Sequence, residues 1–113
     1  MRKLLPLVLL AALSGTLFVA APALSKRKSV EVDDNYFVRK GSPPTVTVKR
    51  GDTVKWEWEG RNPHNVTVTR GPVKFHSPTQ RSGDYSKKMT RSGTYKIVCT
   101  IHPPNMKMTL RVR

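Results

Sequence analysis

Beyond residue 29 the chain alternates. In Thr45-Val46-Thr47-Val48-Lys49 the valines share one face and the threonines and lysine the other. In Val54–Glu59, Val54, Trp56 and Trp58 fall on one side, and Lys55, Glu57 and Glu59 on the opposite side. A period of two is the signature of a strand with one face buried. The same alternation runs through Val30-Glu31-Val32 and places His64, Val66 and Val68 together. It also groups Tyr95 with Ile97 and Cys99, and Met106 with Met108, Leu110 and Val112. Tyr85–Thr90 reads as a more polar strand. Glycine and proline separate these runs at Gly41–Pro44, Arg50-Gly51-Asp52, Gly60–Pro63 and Arg91-Ser92-Gly93, with a long connection over Gly71–Gly83. No segment past the N-terminal leader has a helical period. Seven or so short strands at this spacing predict an all-β fold, a small antiparallel β-sandwich.

The first residues follow a different pattern. Met1-Arg2-Lys3 precedes an apolar run from Leu4 to Val19, which ends in Ala20-Ala21-Pro22-Ala23-Leu24-Ser25. A basic start, a short apolar core and small residues at its end predict a secretory signal peptide over 1–23, cut after Ala23 or Ser25. Retention as a membrane anchor is the alternative, weakened by Pro6 and by Ser14-Gly15-Thr16. Residues 24–29 are expected to be a basic, flexible lead-in and 30–113 a single domain. The protein is then expected in the periplasm or outside the cell, as a monomer, with no membrane attachment after cleavage.

Charge and cysteine content narrow the function classes. The chain carries 21 Lys and Arg against 7 Asp and Glu, a net charge of +14. Losing Arg2 and Lys3 with the leader lowers this to +12. Such a field favours acidic partners. The basic residues alternate with apolar ones instead of clustering, so nucleic acid is not expected as a partner. Exported domains of this size often depend on disulfides, yet Cys99 is the only cysteine and has no internal partner. Acids are too scarce for paired-carboxylate catalysis, and neither a Ser-His-Asp set nor a glycine-rich phosphate loop is present. No enzymatic activity is expected.

The chemistry concentrates in Cys99-Thr100-Ile101-His102-Pro103-Pro104-Asn105-Met106, between two strand-like runs. It supplies a thiolate, an imidazole and a thioether, and His64 offers a second imidazole at the head of another strand. Two nitrogens, a thiolate and a weak soft sulfur suit one copper ion that cycles between its two oxidation states. Met108 shares the parity of Met106 and is the alternative axial donor. His76, in the long connection, is expected to be exposed and not a ligand. The sequon Asn65-Val66-Thr67 lies inside a strand and is discounted for glycosylation.

Three phrases together resemble the plastocyanin- and amicyanin-type cupredoxins. They are Val48–Trp56, then Pro63-His64-Asn65-Val66, then Gly93–Pro103. The resemblance implies a Greek-key sandwich and a type 1 (blue) copper protein that carries single electrons between redox partner proteins. It puts the ligands on His64, Cys99, His102 and Met106, and gives Asn65 the role of tying the two ligand loops together. The spacing departs from the family: three residues separate His102 from Met106, where amicyanin-like chains have two and plastocyanin-like chains four. The sequence leaves two other readings open: a copper storage or delivery module, and a metal-free surface-binding sandwich driven by charge.

Overall fold

The structure, a computed structural model, describes residues 24–38 and 43–113; the expected leader over 1–23 lies outside them. Eight strands follow in order: β1 (Arg27–Asp33), β2 (Tyr36–Phe37), β3 (Thr45–Val48), β4 (Thr53–Trp58), β5 (Thr67–Arg70), β6 (Asp84–Lys88), β7 (Gly93–Val98) and β8 (Lys107–Val112). They form two four-stranded sheets, ordered β2-β1-β4-β6 and β3-β8-β7-β5. The all-β sandwich expected from the alternation is what the chain builds.

Its sheets are mixed, however, and not purely antiparallel. β1 runs parallel to β4, and β3 parallel to β8. The chain leaves the first sheet after β2, passes through β3 in the second, and returns as β4 beside β1. A hairpin cannot bring two strands together in the same direction, but such an excursion can.

The inner faces are those the alternation marks. Val30 pairs with Trp56 and Val32 with Trp58, and all four are buried. Opposite them lie Tyr95, Ile97, Met108 and Leu110. Burying each such aliphatic side chain contributes about 1.5–3 kcal/mol. The Tyr95 hydroxyl donates to the Arg91 carbonyl at 2.7 Å, so the phenol is buried without an unmet donor.

Two segments differ from their expected state. Arg27, Lys28 and Ser29 belong to β1, not to a free lead-in. Their side chains are exposed and show no alternation with apolar residues; the main-chain bonds to β4 hold them. Thr53 N–H donates to the Lys26 carbonyl, and the Asp52 carboxylate accepts from the amides of Lys26 and Lys49, each at 2.9 Å. These bonds hold the Asp52 carboxyl below its ordinary pKa.

The long connection also does more than link strands. Val68 N–H donates to the Phe75 carbonyl, Ser77 N–H to the Val66 carbonyl, and His64 and Gln80 exchange a pair of bonds. Residues 75–80 thus pair irregularly along His64–Val68 and bring Phe75 into the core. Its ring centroid lies 6.1 Å from that of Trp56 and 6.2 Å from that of Tyr95.

Candidate metal centre

β1 and β4 both run toward one end of the sandwich, and there the chemistry-bearing residues meet. His64 lies just before β5, fixed by its two main-chain bonds to Gln80 and by the Trp58 indole N–H, which donates to its carbonyl at 3.2 Å. Cys99 directly follows β7 and is fully buried. The turn after it is closed by His102 N–H to the Cys99 carbonyl (3.2 Å), Met106 N–H to the His102 carbonyl (3.3 Å) and Cys99 N–H to the Met106 carbonyl (3.0 Å). Met106, fully buried, immediately precedes β8.

The donor atoms converge. Nδ1 of His64 lies 3.1 Å from Nδ1 of His102, and Sγ of Cys99 lies 3.4 Å from the latter and 3.9 Å from the former. Three donors each about 2.0–2.3 Å from a shared first-row ion stand roughly this far apart. The buried thiol and the two facing ring nitrogens therefore fit a copper ion by separation and by softness. Main-chain turns hold all three in place, so the cluster needs no rearrangement to take one.

The hydrogen bonds around the cluster orient it. Asn65 is central to them: its side-chain amide donates to the Thr100 hydroxyl (2.8 Å) and the Thr79 hydroxyl (3.0 Å). Its side-chain oxygen accepts from Thr100 N–H (3.2 Å) and the Thr67 hydroxyl (2.8 Å). The Asn65 main-chain N–H points at Cys99 Sγ, 3.5 Å away. One buried residue thus joins the His64 and Cys99 loops and directs a donor at the sulfur, where it lowers the cost of negative charge.

Asp34 was not evident as part of this centre from the chain alone. It sits in the two-residue turn between β1 and β2, beside Asn35 in the left-handed region at φ 74°. Its Oδ1 lies 3.0 Å from His64 Nε2, and the carboxylate also accepts from the amides of Arg61 and Asn62 at 2.9–3.1 Å. An ionised carboxylate can only accept, so Nε2 carries the proton and, in the neutral ring, Nδ1 presents its lone pair toward Cys99 and His102. Gly60 makes this approach possible, because a Cβ there would strike the Asp34 carboxylate. The only local cue is an Asp-Asn turn in a chain with seven acids.

The His64 bond, followed by the two amides, lowers the Asp34 pKa from 3.8 to about 2. A depressed carboxyl contributes stability that is complete above its unfolded value and is lost as pH falls toward the folded one. Metal-free protein is therefore expected to lose stability between about pH 4 and pH 2. The Asp34→Asn variant should lack that component, which urea titrations at pH 5 and pH 2.5 will measure. Equal losses in the two proteins would mean that the carboxylate bonds do not hold in solution.

His76 is exposed, and its Nδ1 faces the Ser77 carbonyl at 3.2 Å, away from the cluster. The Met108 sulfur accepts from the buried Trp56 indole N–H at 3.5 Å.

With the geometry in hand, comparison with known proteins is direct. The family model of copper binding proteins, plastocyanin/azurin family, matches residues 27–113. An amicyanin from Paracoccus denitrificans is 34% identical over 91 residues, 73% of this chain and 70% of that one. A plastocyanin from Prochlorothrix hollandica is 29% identical over 105 residues, 85% of this chain and 80% of the relative. A solved amicyanin variant in its Cu(I) form superposes with a TM-score of 0.65 at 28% identity, covering 77% of this chain and 82% of the other. A copper-containing nitrite reductase from Thermus scotoductus gives a TM-score of 0.67 at 27% identity. That match covers 86% of this chain but only 25% of the enzyme. By fold, by family match and by its buried donors, the chain belongs to the plastocyanin/azurin copper-binding family: it is a cupredoxin, with His64, Cys99 and His102 placed to bind one copper ion.

Proposed function

We propose that the protein is an exported electron carrier of the blue-copper type and not an enzyme. The observation that carries this reading is the tight His64–Cys99–His102 cluster at one end of a rigid sandwich. Bound copper would supply a one-electron couple; the chain's own residues set the geometry and the exit route. His102 is half-buried and lies next to Ile101, 46% exposed, and to exposed Pro103 and Pro104. Such an apolar rim can dock against a partner's own redox centre and bring the imidazole edge to it. The net positive charge favours partners with an acidic surface, and the basic, apolar leader supports a periplasmic or extracellular location.

Met106 is the proposed axial donor. Its backbone bonds to both Cys99 and His102 support that role, whereas the Met108 sulfur is engaged by Trp56. The axial ligand of such a centre tunes its potential, so loss of the thioether should move the midpoint.

Voltammetry tests both points. The copper-loaded protein is expected to give a reversible one-electron wave. Met106→Leu should raise or lower its midpoint clearly and alter the visible spectrum, while Met108→Leu should change stability and leave the midpoint in place. Copper binding without reversible cycling would favour storage or delivery. A midpoint that responds only to Met108→Leu would move the axial role to that residue.

A further inference from the structure

The acids of this protein gather at one end of the sandwich, where they are mixed with Arg61, Arg81 and Lys107, and leave the other end almost free of them. Six of the seven acids, all but Asp52, lie along β1, β4 and β6 toward the copper end or in the loops there: Glu31 is paired with Glu57, and Glu57 with Asp84. The opposite end, where β1 and β4 begin and β8 finishes, is cationic. Arg27 pairs with Thr53, which pairs with Lys88. Arg50 N–H donates to the Arg113 carbonyl, and Lys26 and Lys49 are joined through Asp52. All six of these cations are exposed, and among the described residues none forms an ion pair. The one acid at this pole, Asp52, is buried, and main-chain amides occupy its carboxylate. It offers the cations no counter-charge at the surface.

We infer that this cationic pole is a second interaction surface, which seats the protein on an anionic phospholipid membrane with the copper end facing away. The reasons are three. A cluster of unpaired Lys and Arg on one face suits an extended anionic surface, because each cation within a Debye length adds attraction without a specific pocket. On the reading that the chain is exported, it enters the sandwich at this pole through Lys26, three residues past the expected leader, so this is the end that would be delivered nearest the membrane. Finally, six strand residues separate the poles, roughly 20 Å, so headgroup contact leaves His102, Pro103 and Pro104 free for a partner. The processed domain was expected to have no membrane attachment; the membrane seat inferred here from the placement of its charge departs from that expectation. This inference stands whether or not copper is bound.

Co-sedimentation with lipid vesicles tests it. The processed protein from the exported fraction is mixed with phosphatidylcholine vesicles, with or without about a third phosphatidylglycerol, at low and high salt. Binding is expected only to the anionic vesicles and should fade as salt rises. The pole variant Arg27→Gln, Arg50→Gln, Arg113→Gln should reduce partitioning about a hundredfold, at roughly fivefold per cation. An equal charge change near the copper end (Arg61→Gln, Arg81→Gln, Lys107→Gln) should cost little. Equal losses in both triple variants, equal binding to neutral vesicles, or no binding at all would overturn the assignment. So would polyglutamate binding at the pole more tightly than anionic vesicles, with the same dependence on Arg27, Arg50 and Arg113; the occupant would then be an acidic protein.

Discussion

Cys99→Ser is expected to abolish the intense visible absorption of the copper-loaded protein and most of the stabilisation that copper gives to the fold. The Cys99 sulfur is fully buried, 3.4 and 3.9 Å from the two imidazole nitrogens, with the Asn65 N–H directed at it. A serine oxygen is harder, binds on a shorter bond, and does not supply the thiolate-to-copper charge transfer that makes such sites coloured. Two imidazoles would still retain some affinity, so the variant should bind copper weakly and without the strong band. The stability readout is separate. A ligand that binds only the folded state at about a hundred times its Kd adds about 2.7 kcal/mol. For a domain of this size that is on the order of 10–20 °C in Tm. The native protein should show that rise on adding copper, and Cys99→Ser should show little of it, although the two metal-free proteins melt close together. A colourless native protein, or a variant that keeps the band, would remove Cys99 from the centre.

How far this could be read from the chain depends on where the information resides. Alternation revealed the longer strands that bury a face, because Val54, Trp56 and Trp58, or Tyr95 and Ile97, must point one way to leave water; the two-residue β2, which buries Phe37, is too short to show it. Cys99 and His102 were legible for another reason: they lie within one turn, so spacing alone brings them together. Main-chain pairing leaves no such trace. Arg27–Ser29 bury nothing, and their membership of β1 comes only from bonds to β4. Phe75 is one aromatic in a loop of Gly, Pro and Ser, and no period marks it for the core. The parallel pairing of β1 with β4 depends on the excursion through the second sheet, which local pattern does not encode. The Asp34–His64 contact spans 30 residues and two loops, and the gathering of acids at one pole appears only when six elements are assembled.

That long-range contact should be measurable at the metal. Asp34→Asn is expected to weaken cupric binding by about 10–100-fold and to raise the reduction potential. The carboxylate accepts the His64 Nε2 proton at 3.0 Å, pins the ring's tautomer and makes Nδ1 a stronger donor, which favours the more highly charged cupric state. An asparagine of the same shape can turn its oxygen to His64, but it brings no charge, and its NH2 would take the place of Oδ2 and face the Arg61 amide that now donates there. If a tenfold loss falls on the oxidised form alone, the potential rises by about 59 mV. Gly60→Ala provides an independent route to the same end, because its Cβ would push the carboxylate out of its cradle while leaving Asp34 chemically intact. Both variants should shift voltammetric midpoint and cupric affinity in the same direction, and Asp34→Glu should recover only part of the effect, since its longer side chain does not fit the cradle. A residue serving only the β1–β2 turn would change the unfolding midpoint of the metal-free protein and leave the potential where it was. A shift in potential at constant cuprous affinity is therefore the result that assigns Asp34 to the copper centre.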